Sequence, residues 1–225
     1  MNWQLNIYFA SIVLTFLLTT FLAFYAFRVK KFPGVRAYAF LALAESLGSF
    51  AEIISMISAR QEAAQFWWTL RFLPLAFISG LFVVFAFRYN GHMHWVPDKA
   101  VWGLVIIPVI TQAMVWTNAR YHLWVVKDAI FLHMGNFWLA DITARVPALW
   151  FLVYTFYNIL LMLTGIAILL ITAWQNRKKS VWQSILLTLG ALVGLIILLT
   201  TTLNLLPDLK FNIFIPGLGL SALIS

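Results

Sequence analysis

The chain has 225 residues, 63% of them hydrophobic and only 10% charged. A soluble domain carries roughly 25% charged residues, so there is too little polar surface here to solvate a water-soluble globule. Fifteen Lys and Arg against seven Asp and Glu give a net charge of +8. The basic residues nevertheless stand at the ends of apolar runs, where they meet phospholipid headgroups; without a basic stripe interleaved with aromatics, nucleic acid is excluded as a partner. The absence of cysteine excludes disulfides, thiolate metal sites and thiol catalysis.

Apolar runs predict an all-α membrane protein, a single domain over residues 1–225 with seven spans: 5–27, 36–58, 66–88, 99–117, 147–174, 181–203 and 211 onward. Each complete run is long enough for a hydrocarbon core of about 30 Å. The first is too long for a cleaved signal peptide and lacks a basic leader. With the N-terminus outside, the cytoplasmic connectors hold nine basic residues (Arg28, Lys30, Lys31, Arg36, Arg88, Lys99, Arg177, Lys178, Lys179). The outer ones hold five, Arg60, Arg120, Lys127, Arg145 and Lys210, over longer sequence. The positive-inside rule therefore predicts N-out and C-in. The seventh run, at about 15 residues, reaches only roughly 22 Å. The chain is expected to be a fragment whose last helix is truncated and whose cytoplasmic part follows Ser225.

In the second span Glu45 and Glu52 are seven residues apart, close to two helical turns, so both project from one face with Ser49 between them. A carboxylate at bilayer depth costs roughly 3 kcal/mol on insertion scales unless it is protonated, paired or hydrated. Glu52 and, in the third span, Arg71 both lie roughly 8–9 Å below the outer boundary; an ion pair between them is expected, either pinning the two helices or binding a ligand. Glu45 lies ~10 Å deeper with no basic residue at that level, and is expected to be protonated or bonded to Asn158. Prolines 74, 108, 147 and 216 free backbone carbonyls and permit kinks. Most of the eleven Trp, among them Trp68, Trp102, Trp116 and Trp174, fall near span ends, where interfacial anchoring accounts for them.

The longest connector, 118–146, lies outside. Its β-branched and aromatic stretches Tyr121–Val126 and Ala129–Met134, followed by the turn chemistry of Gly135-Asn136 and by Phe137–Ala140, predict a β-hairpin lid between helices 4 and 5. In the fifth span Tyr154, Tyr157 and Asn158 form a polar-aromatic patch, Asn158 near mid-membrane at roughly 16 Å, which also suits a plain interhelical hydrogen bond.

Enzymatic readings find little support. His92 and His94 fall on the cytoplasmic side and His122 and His133 outside, so the four histidines cannot share a metal. No His-Glu-x-x-His, Gly-x-Ser-x-Gly or phosphate-binding glycine loop occurs, and Asp98, Asp128, Asp141 and Asp208 lie in loops or at span ends, which excludes a paired-aspartate intramembrane protease. A retinal Schiff base needs a lysine inside the last span, and the only candidate, Lys210, is at its rim; no cofactor is expected.

Trp68-Thr-Leu-Arg-Phe-Leu-Pro74, the aromatic span ending Phe87-Arg-Tyr-Asn-Gly91, Ile107-Pro108, Trp116-Thr117-Asn118 with His122-Leu123-Trp124, Gly135-Asn-Phe-Trp138, the Tyr154–Gly165 helix and Leu206-Pro207-Asp208 run through most of the chain. In these stretches it resembles the seven-transmembrane N-terminal sensor domain of bacterial histidine kinases, which also precedes diguanylate cyclases. The Trp-Thr-Asn-x-x-x-His-Leu-Trp cluster is the most specific element. The resemblance implies a non-enzymatic input module in the bacterial plasma membrane that passes a signal to a cytoplasmic output domain, and leaves a homodimer open because such kinases work as dimers. Helix 7, with Pro216-Gly217-x-Gly219, is then the output lever.

The ligand is expected to be small and apolar or amphipathic, with membrane lipid as the other partner. Its expected site is the outer half of the bundle beneath the lid, lined by Glu52, Trp68, Arg71, Trp116 and Asn118, and by His122, Trp138, Tyr154 and Asn158. The alternatives are a proton-coupled transporter or membrane enzyme using Glu45 and Glu52, and a structural scaffold with no cavity.

Overall fold

A computed structural model describes residues 3–29, 34–90, 98–127, 129–141, 146–175 and 181–202. It is mostly helical. Helix α1 spans Trp3–Arg28 and α2 Val35–Ile57; the third span runs through α3 (Gln61–Leu70), α4 (Phe72–Leu75) and α5 (Ile78–Tyr89). Then follow α6 (Asp98–Trp116), the single turn α7 (Asn118–Tyr121), four short strands, α8 (Leu149–Gln175) and α9 (Val181–Thr202). Four helical stretches are long and apolar enough to cross a membrane: Leu5–Arg28, Val35–Ile57, Gln61–Tyr89 and Leu149–Gln175. Shorter apolar helices cover Trp102–Trp116 and Ser184–Thr200. The expected seventh span and its Pro216-Gly217-x-Gly219 segment lie outside the described residues, as do His92 and His94.

The sequence explains how α1 and α2 meet. The buried positions of α1, Leu5, Tyr8, Ile12, Thr15, Thr19, Ala23 and Ala26, recur every three or four residues and form one seam. Helix α2 buries mostly small side chains, among them Ala42, Ser46 and Ser49, with Ser46 on the α1 side; Gly48 lies instead against Leu75 of α4. Small residues let helix backbones approach closely where the surroundings offer no hydrophobic driving force for association. Thr20 and Ser46 close the seam with a 2.6 Å hydroxyl–hydroxyl hydrogen bond. The other face of α1 is apolar and exposed (Leu14, Leu17, Phe21, Phe24), as suits a helix facing lipid.

Prolines shape the third span and α6. Pro74 has no N–H to continue the ladder, and the helix is interrupted on either side of α4. There Gln112 of α6 donates from Nε2 to the carbonyl of Phe72 at 2.8 Å. Pro108, inside α6, leaves the carbonyl of Leu104 without its helical donor, and the Tyr157 hydroxyl of α8 donates to that oxygen at 2.7 Å. The polar-aromatic patch of the fifth span thus includes an interhelical hydrogen bond to a carbonyl that proline released.

The third span starts at Gln61, five residues ahead of the expected Phe66, because Gln61-Glu-Ala-Ala-Gln65 are helix formers that apolarity alone cannot reveal. This early turn is anchored: the hydroxyl of Ser55 at the end of α2 donates to the carbonyl of buried Ala64 at 2.8 Å.

The connector after α6 carries two antiparallel pairs. Strand β2 (Ile130–Met134) pairs with β3 (Phe137–Asp141) in register Met134↔Phe137 through Ile130↔Asp141. The two-residue loop Gly135-Asn136 has φ +64° at Gly135, the left-handed first position of a type II′ turn that favours glycine. Strand β1 (Val125–Lys127) pairs with β4 (Val146–Pro147). Tyr121–Val126, expected as one strand, instead begins within α7 and turns through His122 at φ 50°. The cause is Asn118, whose Oδ1 accepts the backbone N–H groups of both Trp124 and Val125 at 2.9 Å and so folds the chain back.

The β2–β3 hairpin packs on the end of the bundle where α1 begins and α2 finishes. Leu139 joins Leu5, Tyr8, Ile12 and Met56 in one apolar cluster, with Met134 and Phe137 against it. Toward the opposite end, a larger cluster joins α2, α5, α8 and α9 through Ala37, Phe82, Phe85, Ile166, Leu169 and Leu195.

Candidate functional site

Two features at the hairpin end bring chemistry together: a buried ion pair, and a cavity of about 380 Å³ beside it. In the pair, Arg71 Nη1 donates to Glu52 Oε2. Both residues are at most 5% exposed, so each charge is compensated chiefly by the other. On the far side Tyr8 of α1 donates its hydroxyl proton to Glu52 Oε1 at 3.3 Å. The guanidinium carbon lies 4.3 Å from the centre of the Trp68 ring and 5.2 Å from that of Phe72, within cation–π range. One connected group therefore runs from the third span through α2 to α1.

The cavity borders the same two rings, and Arg71 is not in its lining. Helices α3 and α4 contribute Glu62, Gln65, Phe66, Trp68, Thr69 and Phe72. The end of α6 and the turn after it supply Val115, Trp116, Asn118 and Ala119, and the strand region supplies Trp124, Ala129 and Phe131. The aromatic walls interlock edge to face: Phe66 with Trp116 at 5.9 Å, Trp68 with Phe131 at 5.8 Å, and Phe72 with Trp124 at 5.9 Å. Such tilted contacts are the favoured geometry of aromatic pairs.

Of the nine residues expected to line a site, the cavity brings together Trp68, Trp116 and Asn118. Asn118 spends its oxygen on the loop backbone. Glu52 and Arg71 form the pair behind the wall, and Tyr154 stands one ring further out, 5.4 Å from Trp124. His122 is an exposed turn residue, and Trp138 packs its ring 4.7 Å from His133 across the hairpin; neither is in the cavity wall. Asn158 donates to the carbonyl of Tyr154 in its own helix at 2.7 Å. The expected bond between Asn158 and Glu45 is not formed: Glu45 is buried and its Oε2 has no hydrogen-bond partner. Equal depth did not suffice: the Asn158 amide is turned onto its own helix instead.

Residues that the sequence alone did not single out are Glu62, Phe66, Phe72 and Phe131 in the wall, and Tyr8 on the ion pair. Phe66 and Phe72 flank Trp68 at a span end, a placement indistinguishable from ordinary interfacial anchoring. Tyr8 carried no comparable signal, since it lies only three residues into the first expected span while Glu52 lies six into the second. Among the described residues no three His, Asp or Glu come together as a metal site.

The family model described as the N-terminal 7TM region of histidine kinase matches residues 11–225. No curated protein and no solved structure matches the chain.

Proposed function

Since the chain belongs to the family of N-terminal seven-transmembrane regions of histidine kinases, an integral-membrane sensory input module of two-component signalling, we propose that it is a ligand sensor whose signal site is the cavity at the hairpin end. The ligand is small and apolar or amphipathic, and the signal leaves through the seventh helix to a cytoplasmic output domain. The N-terminus and hairpin face outward from the bacterial plasma membrane, the hairpin acting as the lid, and the C-terminus lies inside. The output domain's dimerisation would make the working unit a homodimer.

The observation that carries this reading is the position of Arg71. A ligand shifts a conformational equilibrium only through contacts that differ between the two states. Trp68 and Phe72 border the cavity and also hold the Arg71 guanidinium. A ligand that displaces these rings therefore perturbs the pair to Glu52 on α2, and with it Tyr8 on α1. The same observation weighs against Glu52 as a proton carrier, since both its oxygens are engaged. Glu45, with its unpartnered oxygen, is the residue a transporter would use, and proton-coupled uptake into proteoliposomes lost on Glu45→Gln would favour that reading.

The test fuses residues 1–225 to the cytoplasmic part of a reporter histidine kinase in cells. Trp68→Ala and Trp116→Ala are expected to lower the response to added ligand extracts at least about tenfold, roughly 1.4 kcal/mol of lost binding for one aromatic wall. Tyr121→Ser, outside the wall, should leave it unchanged. Unaltered responses in both tryptophan variants would place the site elsewhere. Orientation is checked separately: an impermeant maleimide on intact cells is expected to label His133→Cys and to leave His92→Cys unmodified, and the reverse pattern would invert the topology.

A further inference from the structure

The cavity has a chemical bias that its aromatic walls alone do not set. In a chain with fifteen basic residues and seven acidic ones, its lining holds one carboxylate, Glu62, and no Lys, Arg or His. Glu62 stands in the first turn of α3, where the helix end favours a negative charge, and no ion partner faces it among the described residues. The nearby guanidinium of Arg71 is turned away, committed to Glu52 behind Trp68 and Phe72. A carboxylate with no ion partner among the described residues, lining a space of about 380 Å³ together with six aromatic side chains, repels anions and attracts cations on two counts. The carboxylate acts by charge, and the rings act by the negative potential of their faces.

We infer that this cavity takes an organic ammonium group, Glu62 serving as its counter-ion and Trp116 and Phe66 as its walls; the inference rests on the reading of the cavity as the signal site. The volume holds an ammonium head with a short apolar tail, which satisfies both the charge and the ring surface. The same head group occurs on free alkylamines and on zwitterionic phospholipids, and the chemistry of recognition is shared by both.

The experiment titrates the purified protein, in nanodiscs of phosphatidylglycerol, with hexyltrimethylammonium, hexanol and hexyl sulfate, following tryptophan emission. Trp68, Trp116 and Trp124 all border the cavity. Hexyltrimethylammonium is expected to give a saturable change, hexanol to bind at least about tenfold more weakly and hexyl sulfate more weakly still. Glu62→Gln should weaken the ammonium about fivefold and leave hexanol unchanged, the size expected for one exposed charge pair. Trp116→Leu should weaken both the ammonium and the emission change. Both side chains are exposed, and an unchanged melting curve confirms that each variant is folded. Repeating the titration in phosphatidylcholine nanodiscs separates the sources. A Glu62-dependent loss of apparent affinity there identifies the lipid headgroup as a competitor, and equal affinities identify a free amine. Hexanol or hexyl sulfate binding as tightly as the ammonium, or no saturable change with the ammonium, overturns the inference. The two readings fail separately. Ammonium binding that leaves the reporter fusion silent defeats the sensor reading while the site stands; hexyl sulfate that binds and drives the reporter defeats the ammonium assignment while the sensor stands.

Discussion

Replacing Arg71 with methionine is expected to cost the folded bundle about 3–5 kcal/mol, the range seen when one partner of a buried ion pair is removed. Methionine keeps much of the side-chain volume, so the loss reports the stranded carboxylate more than a void. Glu52 would retain only the hydroxyl of Tyr8, and Trp68 and Phe72 would lose the guanidinium that holds them. Removing both charges together leaves no uncompensated charge. The double variant Glu52→Gln, Arg71→Met should therefore be more stable than Arg71→Met alone by more than about 1 kcal/mol, a coupling expected of groups in direct contact. Denaturant unfolding of all four proteins in the same detergent measures the cycle. Strict additivity would mean that the two side chains do not interact, and the relay from cavity to α2 would lose its central link.

This pair was legible in the sequence because two opposite charges at equal depth in adjacent spans have almost no other way to be accommodated in hydrocarbon. The four helical stretches of span length and the Gly135-Asn136 hairpin were legible for a similar reason: length of apolar run and turn chemistry are local properties. What escaped depends on rotation about helix axes and on contacts distant in sequence. Glu45 and Asn158 share a depth, yet Asn158 satisfies itself on the carbonyl of Tyr154. Asn118 was expected to face a ligand, and it does border the cavity, but its oxygen organises a loop through backbone groups six and seven residues away. Glu62 sits in a polar turn that reads as a connector until the helix is seen to start at Gln61. Aromatic residues were numerous enough that their presence marked the membrane interface without telling wall from anchor.

The opposite end of the bundle offers an equally sharp test. Gly165→Val is expected to destabilise the protein by about 3 kcal/mol or more, at the upper end of the cost of overpacking a filled core. At this position α8 lies against the Phe82 ring of α5: a Cβ on residue 165 would overlap Cε1 and come within 2.6 Å of Cδ1. Phe82 has little room to retreat, since it is buried in the cluster with Ala37, Ala86, Ile166 and Leu169. Relief therefore requires α8 to move away from α5, and the displaced seam includes the neighbours of α9, Ala191 and Leu195. The two helices approach closely because a glycine faces a flat ring, the membrane counterpart of small-residue packing. Trimming the ring should make room. Phe82→Ala is expected to cost about 3–5 kcal/mol when Gly165 is retained, but far less in the Gly165→Val background, where the branched side chain fills part of the space the ring leaves. Thermal unfolding of the two single variants and the double would show this as a melting temperature for Gly165→Val, Phe82→Ala well above that predicted by summing the separate losses. Equal destabilisation in both backgrounds would mean that residue 165 and the ring do not meet, and that the α5–α8 seam is held by other contacts.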